Sequence, residues 1–169
     1  MSLTTANFRE VYRRHSRDVY RFALFLTADA ARAEDLTAEA FFRIWASPAP
    51  TQLKTVKSYL LAIVRNLHTE NWRSDWRQVS LPETLPHMDR TSATLDARAE
   101  LERVLAALQK LAATDRAAVL LRGEHGLSYE EIAHILNISA AAVRVKVHRA
   151  RKDLMFARNP QPSVGGTSQ

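Results

Sequence analysis

The stretch LSYEEIAHILNISAAAVRVKVHRARKDL, from Leu127 to Leu154, leaves few ways to fold. Its apolar residues recur at helical spacing in two runs, with a break between them. Ser128 and Glu131 stand three apart ahead of the first run, the spacing of a capping box, so a helix is expected to begin there. Ile132, Ala133, Ile135 and Leu136 give that helix an apolar stripe. Asn137 tolerates the left-handed backbone that ends a helix, Ile138 plugs the angle, and Ser139 can cap the next helix. In the second helix Val143, Val147, Ala150 and Leu154 share a narrow arc and face inward. Ala141, Val145, His148, Arg149 and Lys152 point the other way, with Arg144, Lys146 and Arg151 on the flanks. A short helix, a turn, and a second helix with small residues at its start and basic ones outward is the helix-turn-helix arrangement, whose second helix enters the major groove of DNA. The alternative is an ordinary helical hairpin with a solvated basic face.

Charge distribution bears on that choice. The net charge of +6 points to a polyanionic partner, although basic excess alone also serves solubility. Bases outnumber acids from Met1 to Gln78 and again from Leu101 onward, while acids outnumber bases from Val79 to Glu100. Two basic ends therefore flank an acidic middle. Glycine is scarce and Ala, Leu, Arg and Glu dominate, so an all-α fold is expected over 169 residues, as one ordinary domain or two small ones. With no cysteine, disulfides and thiolate metal sites are excluded. The N-terminal residues MSLTTANFREVYRRH lack the apolar core of a signal peptide, and no stretch approaches an uninterrupted membrane span. A soluble, cytoplasmic protein is the economical reading.

Taken in order, Asn7 to Leu26 carries Phe8, Val11, Tyr12, Val19, Phe22, Ala23 and Leu26 as core candidates. Arg9, Arg13, Arg14, Arg17 and Arg21 oppose them, either as a solvated face or against phosphate. Asp29 is a plausible N-cap for a helix over Ala30–Ala46, whose broad apolar surface is Leu36, Ala40, Phe41, Ile44 and Trp45. Ser47-Pro48-Ala49-Pro50 stops it. A third helix is expected over Thr55–Arg77, with Leu60, Ile63, Val64 and Leu67 buried. Tyr59, Asn66 and Arg73 recur every seven residues along one edge, where a ring, an amide and a guanidinium can stack a base, read its edge and hold its phosphate. Trp72 and Trp76 lie elsewhere on the wheel, covering core or partner surface rather than stacking bases. QVSLPETLPHMDRTSA, with two prolines and no period, reads as an extended flexible linker. Its composition implies two units tumbling semi-independently unless a partner clamps them together. Leu95–Leu111 regains helical periodicity, Thr114 is placed to cap a short helix to about Arg122, and the Pro/Gly/Ser tail after Arg158 has nothing to bury.

These segments together carry a family resemblance. Gly126 to Leu154 closely resembles the minus-35-reading helix-turn-helix of bacterial sigma factors of the extracytoplasmic-function (ECF, group IV) type. AEDLTAEAFFRIW, Ala33 to Trp45, resembles the segment by which those factors dock on the clamp helices of RNA polymerase. Tyr59 to Arg77 resembles their minus-10-recognising helix, with Tyr59 where tryptophan is common and Asn66 matching the family's asparagine. The resemblance runs from about Phe8 to Leu154, in the family's order and spacing. It implies a region 2 bundle over residues 5–78, a linker over 79–94, a region 4 helix-turn-helix over 95–157 and a tail over 158–169. It implies core polymerase contacts at Asp35, Leu36, Glu39, Phe42 and Trp45, with Ala38 where the family carries a hydrogen-bonding glutamine. Minus-10 contacts are implied at Tyr59, Asn66, Arg73 and Arg77. Minus-35 contacts are implied at Ser128, Tyr129, Ser139, Arg144, Val145, Lys146, His148, Arg149 and Arg151. Core RNA polymerase, promoter DNA and an anti-sigma factor are the partners it implies, with no cofactor.

Nothing in the chain suggests an enzyme: the six histidines are scattered, and no HExxH, nucleophile elbow or phosphate-cradling glycine loop occurs. A stand-alone repressor or activator, or a polymerase-binding adaptor without promoter specificity, are the other classes open. The N-terminal half discriminates, since a simple repressor needs a dimer interface or ligand pocket there rather than the Ala33–Trp45 and Tyr59–Arg77 patterns.

Overall fold

The computed structural model describes residues 5–46, 55–70 and 94–158, all helix, turn or short connection. The helices are α1 (Thr5–Thr27), α2 (Ala30–Ala46), α3 (Val56–Thr69), α4 (Leu95–Gln109), α5 (Ala113–Gly123), α6 (Tyr129–Leu136) and α7 (Ala140–Arg158). Among the described residues there is no strand, and no helix is long and apolar enough to cross a membrane. The expected stop at residues 47–50, the end of the expected third helix, all but the last residue of the expected linker and all but the first residue of the expected tail lie outside the described residues.

Helices α1 to α3 form the first layer. Thr27 and Asp29 shape the α1–α2 corner: the Thr27 hydroxyl donates to the Ala23 carbonyl at 2.8 Å, and the Asp29 carboxylate accepts from the Arg32 N–H at 3.1 Å. Asp29 is thus the N-cap its sequence position suggests, and Ala28 between them takes a left-handed φ of 52°. Val19, Phe22 and Leu26 of α1 meet Leu36, Phe41 and Ile44 of α2 and Leu60, Val64 and Leu67 of α3, all but fully buried. Phe8 and Tyr12 extend this core as a half-buried aromatic edge on Phe41, with Tyr12–Phe41 centroids 4.7 Å apart.

Helices α4 to α7 form the second layer, around Leu108, Ala118, Leu121, Ile132, Val143 and Val147. Here two expectations are corrected. Thr114 does not cap α5; the helix begins two residues after Leu111, its N-cap is Ala112, and no side chain bonds there. The earlier start places Asp115 in the first turn, where a carboxylate suits the positive end of the helix dipole, and turns Arg116 back onto α4.

The second correction concerns the two units, which pack together into one continuous core rather than standing apart. Arg116, buried beside Asp115 ahead of the apolar run of α5, is the main link. Its guanidinium donates to the carbonyls of Leu108 (2.9 Å) and Leu111 (3.1 Å) at the end of α4, and to Leu26 (2.7 Å) at the end of α1. The Gln109 amide donates to Phe25 and Leu26 carbonyls at 3.3 and 3.2 Å. One cation therefore bonds carbonyls at the negative ends of two helices. Beside it, His125 meets the Phe22 ring edge-on at 5.3 Å, and Arg21 pairs with Glu124 at 2.7 Å. The units pack together where linker composition suggested independence, because the contact joins residues distant in sequence, many of them through backbone carbonyls, and so leaves no periodic trace.

Candidate nucleic-acid interface

The helix-turn-helix assembles from local hydrogen bonds that its sequence prescribes. The Ser128 hydroxyl accepts from the Glu131 N–H at 3.1 Å while the Glu131 carboxylate accepts from the Ser128 N–H at 2.9 Å, a complete capping box. Asn137 takes φ 54° and ψ 47° and ends α6, and the Ile138 N–H closes the turn onto the Ala133 carbonyl at 3.1 Å. The Ser139 hydroxyl accepts from the Ala142 N–H at 3.1 Å and starts α7. Each capping hydroxyl keeps its own O–H as a donor.

Val143, Val147 and Ala150 pin α7 to the core and fix its rotation. Ala141, Arg144, Val145, His148, Arg149, Arg151 and Lys152 are all exposed as the wheel requires, Val145 at 61 %. Three basic residues of α7, and Arg122 of α5, have partners that sequence did not reveal. The half-buried Tyr129 ring lies under two guanidinium groups, Arg122 at 4.7 Å and Arg144 at 5.2 Å from its centroid, and Arg122 is itself anchored to the Leu127 carbonyl at 2.9 Å. Arg149 grips Asp115 of α5 through Nε (2.6 Å) and Nη2 (2.9 Å), and Lys146 adds a contact at 3.3 Å. The Arg149 hydrogen bonds hold the Asp115 carboxyl below its ordinary range, against the opposing effect of burial and with help from Lys146.

The face implied for polymerase docking is built on α2. Phe42 and Trp45 are exposed, Trp45 resting edge-on against Phe8 with centroids 5.1 Å apart. Asp35 is half-buried, and Glu39 is buried and bonded to Arg43 at 2.9 Å. Leu36 is 0 % exposed, so it supports this face from beneath and has no surface to offer a partner. On α3, Tyr59 packs half-buried on the core while Asn66 is exposed and accepts from Arg65 at 3.4 Å. Arg73 and Arg77 lie outside the described residues.

Sequence reasoning missed Asp115, Arg116, Arg122 and His125. Arg116 left one signal, a cation directly ahead of the apolar run Ala117–Leu121; the others gain their significance only from their partners in the fold.

A basic recognition helix on a correctly turned helix-turn-helix, packed against a second helical unit with its own aromatic face, defines a sequence-reading DNA-binding protein. Comparison with known proteins narrows the class. Residues 11–78 match the family described as Sigma-70 region 2, and residues 101–154 match Sigma-70, region 4. The chain is 37% identical over 160 residues to the ECF RNA polymerase sigma factor SigE of Mycolicibacterium smegmatis, spanning 86% of this chain and 59% of that one. It is 31% identical over 153 residues to SigM of Bacillus subtilis, spanning 89% and 94%. The solved structure of the sigma factor RpoE with the anti-sigma factor NepR, from Bartonella quintana, matches at TM-score 0.71 and 25% identity, over 92% of this chain and 99% of that one. CnrH, solved with the cytosolic domain of CnrY, shares the fold at TM-score 0.70 and 21% identity. The chain belongs to the ECF RNA polymerase sigma factors. It is a promoter-recognising factor of transcription initiation.

Proposed function

We propose that α2 docks this chain on core RNA polymerase through Asp35, Phe42 and Trp45, with Glu39 and Leu36 shaping that face from within. On this reading α7 enters the minus-35 major groove, and the Tyr59–Asn66 edge of α3, continued by Arg73 and Arg77, captures unwound minus-10 bases. Residues 5–78 and 95–157 act as the two promoter-reading units, and the protein works in the cytoplasm without a cofactor or a catalysed reaction of its own. The observation that carries the proposal is the outward row of α7, whose rotation is fixed by buried Val143, Val147 and Ala150. Arg144 and Arg149 can fork onto guanine, Val145 and His148 tune preference through methyl and ring contacts, and Lys146, Arg151 and the Ser128, Tyr129 and Ser139 hydroxyls approach the phosphate walls. An anti-sigma factor is the regulatory partner, a reading supported by the RpoE–NepR structure.

The test is run-off transcription with core polymerase, with and without this protein, on a pool of genomic promoters. Start sites sharing a minus-35 and a minus-10 element only when the protein is added are the expected result. Asp35→Arg, chosen because Glu39 is buried and its reversal would disturb α2, should abolish co-elution with core polymerase while helicity by circular dichroism stays intact. Unchanged co-elution would remove this docking face.

A further inference from the structure

We infer that Asp115, which lies on α5 away from the recognition helix, is a specificity-determining residue that aims Arg149 at its base. The inference rests on Arg149 reading the minus-35 element, as proposed above. Asp115 is 3 % exposed and takes both Nε and Nη2 of Arg149, at 2.6 and 2.9 Å. Two of the guanidinium's five N–H groups are thereby used, leaving both hydrogens of Nη1 and the outer hydrogen of Nη2. Those Nη hydrogens form the end-on fork that fits guanine O6 and N7. The Arg149 side chain is 53% exposed although Asp115 is buried, so the guanidinium remains accessible while it holds the carboxylate. A free arginine loses rotamer freedom when it docks, whereas this one is already held in a single orientation by a rigid neighbouring helix.

The carboxylate is not a barrier to DNA in this arrangement. Arg149 and Lys146 together exceed its single negative charge, so the trio presents net positive charge to phosphate. An interhelical ion pair that merely joins α5 to α7 predicts something different: a change in stability with base preference intact.

The full chain is bound to a duplex library randomised across one helical turn, and base enrichment at each position is read by sequencing. Arg149→Ala is expected to abolish a guanine preference at one position. Asp115→Asn should lower enrichment at that same position by roughly three- to tenfold, a part of what a bidentate fork discriminates, and leave the other positions unchanged. Asp115→Asn added to Arg149→Ala should change nothing further. If Asp115→Asn fails to fold, Asp115→Glu, which keeps the charge on α5 but displaces the fork, is expected to give the same selective loss. Equal losses at every position, or lowered thermal stability with enrichment untouched, would make Asp115 a structural residue and overturn the inference. If Arg149→Ala itself leaves all positions unchanged, the reading of Arg149 falls, and the role of Asp115 falls with it.

Discussion

Arg149 and Lys146 lie one turn apart on α7 and share a carboxylate, yet their effects on DNA should separate. Lys146 meets Asp115 at 3.3 Å through a single flexible ammonium, whereas Arg149 makes a two-point contact. Lys146→Ala should therefore weaken binding almost uniformly across sequences and reduce the salt slope by about 1, read from titrations at several salt concentrations. A loss confined to one base position would instead make Lys146 a base reader. The outward direction of Arg149 and the flank position of Lys146 were legible in sequence because helical periodicity fixes both. Their partner was not, since Asp115 lies 34 positions from Arg149 and nothing in local spacing couples the two. Arg116 is a residue of the opposite kind, buried and bonded to backbone carbonyls. Replacing it with Met should destabilise the fold by roughly 2–4 kcal/mol in urea titration, because several buried carbonyls lose their donor at once.

At the scale of single helices the sequence was most readable where a cap announces the element. Asp29, Ser128, Asn137 and Ser139 each occupy the terminal position their chemistry suits, and α2 spans the Ala30–Ala46 expected from its cap and its following prolines. Helix α5 shows the limit: Thr114 is a good capping residue by type, but packing of Leu111 and Arg116 sets the start earlier, and Ala112 takes the cap without a side-chain bond. Tertiary contact overrode local preference there. The α6 cap offers a clean test because both of its hydrogen bonds are local. Ser128→Ala should cost about 1 kcal/mol of stability. It should also weaken minus-35 duplex binding, since α6 seats α7 through Ile132 and Ile135. A stability loss with duplex binding unchanged would show that α7 keeps its seat without the capping box.

At the scale of the whole molecule, the junction between the two units contains two histidines that titrate in the same direction. Burial, then Lys57, with Arg21 adding and Asp18 opposing, pushes His125 from 6.5 down to about 4, and both of its ring nitrogens are buried without a hydrogen-bond partner. His68 is likewise lowered, by burial first and then by Arg32, Arg116 and Arg65. For such groups the unfolded chain binds the proton more readily, so stability is complete above about 6.5 and is lost as pH falls towards about 4. Asp18 and Asp115, held below the ordinary 3.8, add their losses only at still lower pH. The urea midpoint should therefore fall between these limits, and His125→Leu should flatten the slope by at most about 1.4 kcal/mol per pH unit. An unaltered slope would mean that His125 is not what couples the junction to pH. The Arg116 contact carries a different consequence, for exchange between relatives. Its partner on α1 is the backbone carbonyl of Leu26, an atom that every amino acid supplies. This part of the fit between the two halves therefore does not depend on the side chain at position 26, whereas the Phe22–His125 and Arg21–Glu124 contacts do depend on side chains. A second half that keeps Arg116 and Gln109, together with Glu124 and His125, should dock on a foreign first half of the same helical length that keeps partners for them at positions 21 and 22, so the halves of relatives should be exchangeable parts.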